Sequence, residues 1–155
     1  MPSTHSNLLM HVIFSTKNRI KLIADGWQAE LFAYIGRTLH EHKASLLEAG
    51  GIEDHVHLLL RVHPSFAVAD TVRLIKANSS RWINEERRIQ ARFEWQKGYA
   101  VFSVSQSSRD ALSQYIRNQR EHHCKQTYEQ EYLKTLELHG IEYNPNYVFD
   151  KEITG

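Results

Sequence analysis

The most chemically pointed stretch of this 155-residue chain is Asp54-His55-Val56-His57, which opens an apolar run reaching Val62. In a strand, alternate side chains share a face, so His55 and His57 project together while Val56 points the opposite way. Two imidazoles on adjacent rungs can share one metal ion. His40-Glu41-His42 has the same spacing but falls at a helix end, where residues two apart diverge, and is set aside. A second group lies near the carboxyl terminus. Tyr115 and Gln119 are four residues apart and stack on one helical face, with Asn118 beside them. The types are complementary: a phenol as nucleophile, an amide oxygen as third ligand, and two imidazoles for a metal that polarises a phosphate. Each group also has a structural reading, as a solvent-facing polar pair on a half-buried sheet and as a packed tyrosine beneath a helix. Spacing alone does not place the helix over the strand.

The elements that must position these residues follow from periodicity. Leu8, Met10, Val12 and Phe14 alternate with Leu9, His11 and Ile13 in a first strand, apolar on both faces and therefore central. Asp25 caps a helix in which Trp27, Leu31, Ile35 and Leu39 recur every fourth residue. A strand around Ala44 to Ala49 and another from Ile52 to Val62 form a hairpin, with Gly50-Gly51 as its turn signal. After Pro64, the residues Val68, Val72, Ile75, Ser79, Trp82 and Ile83 mark the inner face of a second long helix. Tyr99 to Ser105 alternates as a last strand. Ser107 with Asp110 resembles a capping box for a helix to about His123, and a shorter helix runs from Thr127 to Leu138. The order predicts an α+β, ferredoxin-like (βαββαβ) antiparallel sheet covered by helices, with a carboxyl-terminal helical extension carrying the tyrosine. Such a fold by itself assigns no activity.

Composition narrows the class. A net charge of +1, 41% hydrophobic residues and a single cysteine describe one globular domain over residues 1–155, with a core at about 4–149. They exclude a disulfide framework, a Cys-rich zinc module and wholesale disorder. No run approaches a membrane span, and the amino terminus lacks a signal-peptide pattern, so the expectation is cytoplasmic, without a membrane partner. Near-neutral charge conceals an asymmetry. Arg73, Lys76, Arg81, Arg87, Arg88, Arg92 and Lys97 crowd the middle, whereas Glu129, Glu131, Glu137, Glu142, Asp150 and Glu152 form an acidic counterweight. The basic stretch is a candidate phosphate-contacting face, with Arg73, Lys76, Arg81, Arg87 and Arg88 as DNA-binding candidates. Trp82, Phe93 and Trp95 are placed to stack on unpaired bases, although Trp82 also fits the inner helical face.

The HVH of GIEDHVHLLL, the FSTKN after the first strand, the LIKANSSRWIN helix, the WQKGYAVFSVS strand and the YIRNQREHH helix together resemble the single-tyrosine HUH transposases of insertion sequences. More narrowly, they resemble the single-strand transposases of the IS200/IS605 type, from about Thr4 to Phe149. The resemblance implies that His55 and His57 are metal ligands, Gln119 the third ligand and Tyr115 the nucleophile. It also implies Mg2+ or Mn2+, whereas ligand softness alone favours zinc or a later transition metal. The implied reaction is cleavage of single-stranded DNA through a 5'-phosphotyrosine intermediate, followed by rejoining, in a prokaryotic cell. The implied partners are imperfect hairpins near the element's ends and a second copy of the chain, for which Tyr99 to Ser105 offers a pairing edge. Cis or trans assembly of the site is left open. Asn118-Gln119 after the tyrosine favours the insertion-sequence branch over repeat-associated transposases, which usually carry an Asn-Pro pattern there. The alternatives are a domesticated repeat-associated tyrosine transposase, or a non-catalytic nucleic-acid-binding module on the same sheet. For the other eight histidines, the sequence offers structural roles.

Overall fold

The computed structural model describes residues 3–86 and 88–149. Its elements are β1 (Leu8–Ser15), α1 (Asp25–Glu41), β2 (Ser45–Ile52), β3 (His55–Val62), α2 (Val68–Glu85), β4 (Ala100–Val104), α3 (Arg109–Arg117), α4 (Gln119–His122) and α5 (Tyr128–Leu138). The strands form one antiparallel sheet in the order β2-β3-β1-β4, as the split pattern requires. β1 and β3 are central. Both read as nearly continuous apolar runs because both of their faces are covered.

Alternation sorts the two faces. Val12, Phe14, Val56, Leu58, Leu60 and Val62 point into a core with Trp27, Leu31, Ile35 and Leu39 of α1 and Val72, Ile75 and Ile83 of α2. Each such buried aliphatic or aromatic side chain contributes roughly 1.5–3 kcal/mol relative to exposure. The opposite face presents Ile13, Ala100 and Phe102 to Tyr128 and Leu136 of α5. His11, His55 and His57 share that second face, between the sheet and the carboxyl-terminal helices. None of the described helices is long and apolar enough to cross a membrane.

Three local expectations change. Gly50-Gly51 does not turn the chain: both residues lie inside β2, paired with His57 and Val56, and the turn falls at Glu53-Asp54. Their smallness serves a close approach instead, because a Cβ on Gly50 would stand 2.0 Å from the carbonyl oxygen of Ile116 in α3. Gly50→Ala must therefore push α3 off the sheet. Such overpacking costs about 1–3 kcal/mol in urea unfolding. Gly36→Ala, whose Cβ would meet Leu46 at an ordinary 3.8 Å, should not destabilise; equal losses in the two variants would contradict the close-approach account. Second, Ser107 and Asp110 make no capping box. A short 3-10 turn at Gln106–Ser108 leads into α3 without a side-chain cap. The reciprocal box is Thr127 with Gln130, at the start of α5. Third, α1 starts after Ala24, and Asp25 is its first helical residue rather than its cap.

Candidate active site

The site is built where β3 begins beneath α3, α4 and α5. His55 and His57 are fully buried, so they are not the solvent-facing pair that a strand His-x-His usually makes. Tyr115 reaches them from α3 of the same chain, its ring centroid 5.9 Å from that of His57. A bend at Asn118 separates α3 from α4, yet hydrogen bonds of helical spacing run across it, from Asn118 N to Gln114 O and from His122 N to Asn118 O. Gln119 therefore stays one turn from Tyr115, and its buried side-chain oxygen lies 3.2 Å from His55 Nε2. The four residues expected from sequence converge.

Three further residues join them. Glu131, read from sequence as part of an acidic counterweight, is buried. Its Oε1 lies 2.8, 3.1 and 3.4 Å from Nε2 of His57, His123 and His55, and its Oε2 accepts the hydroxyl of Tyr115. His123 also contacts Gln119 Oε1 at 3.2 Å, and its Nδ1 faces the carbonyl of Gln126. His11, on the neighbouring strand, places Nε2 2.9 Å from His57 Nδ1. Each β3 histidine thus has a partner on its far nitrogen, since His55 Nδ1 faces Asp54 Oδ1 at 2.7 Å. Such outer partners fix ring orientation in metal sites. His122 instead stacks near the Tyr115 ring, at 4.5 Å between centroids. His63 stays in a loop, where its Nδ1 accepts the amide of Ser65.

The sequence held weak signals for the missed residues. His123 is eight positions after Tyr115, the next step of the same helical face, and Glu131 interrupts the inward stripe of Tyr128 and Leu136 on α5. His11 had none, because its role depends on a diagonal across β1 and β3.

The donor set fits a divalent ion. His55, His57 and Glu131 each offer a ligand atom within 4.8 Å of the others, and an imidazole–carboxylate mixture suits a borderline cation. Burial would lower the His55 pKa, but the hydrogen bonds and charges of Asp54 and Glu131 outweigh it and raise it to about 9. His57 moves the other way: complete burial lowers it to about 4 despite Glu131. Burial, reinforced by His57, brings His11 to about 3. The Glu131 carboxyl is held far below the usual range, its burial overcome by the hydrogen bonds of His123, His55 and His57. Burial and then the bond to Glu131 push the Tyr115 phenol up.

These shifts set a pH dependence. His55 lies above its ordinary 6.5, so its contribution to stability is complete below pH 6.5 and is lost as pH rises through about 9. His57 and His11 lie below 6.5, and their contributions are lost as pH falls through about 4 and about 3. Urea unfolding of the EDTA-treated chain should show a stability maximum near pH 6.5, flattened at both ends when His11, His55 and His57 are replaced together. An unchanged profile in that triple variant would contradict the assignment.

The basic segment lies on the other side of the sheet. Arg73, Lys76, Arg81, Arg92 and Lys97 line a groove of about 690 Å³ between α2 and residues 92–99. Lys76 donates to the carbonyls of Gln96, Lys97 and Gly98 at 2.9, 3.3 and 2.5 Å, anchoring that segment. Arg88 pairs with Glu30 at 2.6 Å and lies over the Trp82 ring. Arg73 is exposed beside Asp70, and Arg81 donates to Asn78. Arg87 falls outside the described residues. The proposed base-stacking aromatics are packing residues: Phe93 and Trp95 are buried, Trp95 edge-on to both Phe14 and Phe93, and Trp82 stacks on Tyr34. Apolar burial outweighs exposure for rings this large.

The chain resembles known proteins in sequence and in fold. The protein named transposase for insertion sequence element IS200 in Salmonella typhimurium is 29% identical over 124 residues, 76% of this chain and 80% of that protein. ISDra2 transposase TnpA of Deinococcus radiodurans is 30% identical over 73 residues, 44% of this chain and 52% of that protein. The crystal structure of a transposase candidate from Deinococcus radiodurans R1 superposes with a TM-score of 0.62 at 26% identity, covering 77% of this chain and 95% of that one. A REP-associated tyrosine transposase bound to a REP hairpin shares the fold, with a TM-score of 0.55 at 11% identity over 75% of this chain and 70% of that one. Residues 4–119 match the family model described as Transposase IS200 like, a span that includes His55, His57, Tyr115 and Gln119 and ends before His123 and Glu131. With most of its length inside that match, the chain belongs to the IS200-like transposase family.

Proposed function

We propose that the chain is a metal-dependent transposase that cuts and rejoins single-stranded DNA at insertion-sequence ends through a 5'-phosphotyrosine link on Tyr115. The observation that carries this reading is the placement of Tyr115 over the paired histidines of its own chain, which supports assembly in cis. A divalent ion held by His55 and His57, with Glu131 and Gln119 completing its ligands, would withdraw charge from the scissile phosphate. Mn2+ suits this nitrogen-rich set better than Mg2+, which prefers oxygen donors and water. Tyr115 attacks phosphorus in line and the 3'-oxygen departs. A 3'-hydroxyl of another cleaved strand later attacks the tyrosine ester, so rejoining needs no external energy source.

The hairpin named in the REP-associated structure supports recognition of subterminal hairpins by this chain as well. The α2 groove is the proposed contact surface, with Arg73 and Arg81 meeting phosphates while Lys76 holds the 96–98 wall. Among the described residues β4 pairs with β1 alone in the sheet, and that edge supports a homodimer joined strand to strand. Residues 4–149 act as one catalytic unit, on DNA in a prokaryotic cytoplasm.

The test uses labelled single strands tiling the DNA on either side of the gene, incubated with protein and Mn2+ and then denatured. A covalent protein–DNA adduct that EDTA prevents is expected. No adduct with any strand removes this reading.

A further inference from the structure

Tyr115 must lose a proton as its oxygen bonds to phosphorus, and the carboxylate that accepts its hydroxyl lies beyond the family-matched segment, which ends at Gln119. The acceptor in place is Glu131 of α5. Its two oxygens face different ways, Oε1 toward the imidazoles of His55, His57 and His123 and Oε2 toward the Tyr115 hydroxyl. α5 holds the carboxylate rigidly: Thr127 and Gln130 cap its first turn, Thr135 Oγ1 donates to the Glu131 carbonyl at 2.8 Å, and Tyr128 and Leu136 pack under the sheet. An acidic side chain this deeply buried is rare unless it is paired, and here its partners are the ion-site residues and the nucleophile.

We propose that Glu131 is a catalytic residue of the strand-cutting step, taking the proton of Tyr115 through a hydrogen bond already made in the resting site. The inference rests on the transposase reading above. As the Oη–P bond forms, the phenol O–H bond breaks and its proton passes to Oε2. The P–O3' bond breaks with its electron pair on the 3'-oxygen, which takes a proton from solvent water. The products are a 5'-phosphotyrosine, a free 3'-hydroxyl, a protonated Glu131 and the hydroxide left by the water. In rejoining, the departing phenolate recovers the proton from Glu131, while the attacking 3'-hydroxyl gives its own proton to solvent. The carboxylate need not be strongly basic, because Oη becomes acidic only as its bond to phosphorus develops and the proton moves late. One side chain thereby links the ion's ligands to the nucleophile, so α5 is part of the catalytic apparatus.

The experiment measures single-turnover adduct formation at saturating Mn2+, with ion occupancy checked by titration calorimetry. Glu131→Gln should slow the step by about 100-fold or more, the usual size of a lost acid–base catalyst, with DNA affinity unchanged. Replacing Tyr115 in that variant by a fluorotyrosine whose phenol ionises near neutral pH should restore most of the loss, since no proton then remains to be accepted. Wild-type speed in Glu131→Gln, or a loss that the fluorotyrosine leaves unmoved, overturns the proposal and leaves Glu131 a ligand or packing residue. If Glu131→Gln fails to fold, Glu131→Asp decides: its carboxylate, one methylene shorter, should slow adduct formation at full Mn2+ occupancy, and wild-type speed overturns the proposal. Absence of an adduct with the unaltered chain would defeat the transposase reading and this inference together, whereas an active chain indifferent to Glu131 defeats only the inference.

Discussion

Replacing Tyr115 with phenylalanine should remove the covalent DNA adduct altogether while leaving the fold, ion binding and hairpin binding in place. The substitution deletes one oxygen from a half-buried ring whose hydrogen bond runs to Glu131. A hydrogen bond to a charged group contributes about 1.5–3 kcal/mol to stability, so the variant should unfold earlier than the parent chain yet still fold. Nothing else described at the site can replace the nucleophile. Tyr128, whose ring packs against His55, is buried between α5 and the sheet. Denaturing gels of a labelled strand give the answer, with melting curves and hairpin gel shifts as controls. An adduct that survives Tyr115→Phe would assign the chemistry to another residue.

His57→Ala has the second largest expected effect. Outer partners of a metal ligand typically change affinity by 10–100-fold, so removing a ligand itself should weaken Mn2+ binding by at least about 100-fold. It also strips His11 Nε2 and Glu131 Oε1 of a partner inside the protein. Glu131 Oε1 keeps His123 and His55, but leaving the buried His11 nitrogen unsatisfied costs about 1–3 kcal/mol, so a measurable fall in stability should accompany the loss of cleavage. Hairpin binding should persist, because the α2 groove lies across the sheet from the histidines. His63→Ala, in a loop away from the site, should change neither ion affinity nor cleavage. Equal loss of hairpin binding and cleavage in His57→Ala would make the histidine structural.

Much of this arrangement was legible in the sequence, and what was not has identifiable causes. The order of strands and long helices followed from period-two and period-four apolar patterns, which are local and strong in β1, β3, α1 and α2. The paired histidines and the Tyr115–Gln119 step were equally local, one across a single strand and the other along a single helical face. The glycine pair misled because its signature in a turn is the same as its signature where a helix backbone meets a strand, and only Ile116 across the gap distinguishes the two. Glu131 was grouped with the acidic tail because a count of charges carries no direction. Turning α5 as a helix puts Glu131 with Tyr128 and Leu136, yet nothing in the sequence says that this face lies over β3. His11 required the register Ile13 opposite His57, which sets it diagonally beside that imidazole. The aromatic residues of the basic segment were offered to DNA bases, but Trp95 donates its indole N–H to buried Ser79 and Phe93 packs against it, so the core claims both.

The central claim is that one particular oxygen carries the broken DNA strand. It is tested most directly by forming the adduct with Mn2+, digesting it with protease and nuclease, and sequencing the nucleotide-bearing peptide by mass spectrometry. A single modified peptide is expected, joined through the Tyr115 oxygen to a 5'-phosphate, with a free 3'-hydroxyl on the released strand. Attachment at any other residue, or through a 3'-phosphate, would contradict it.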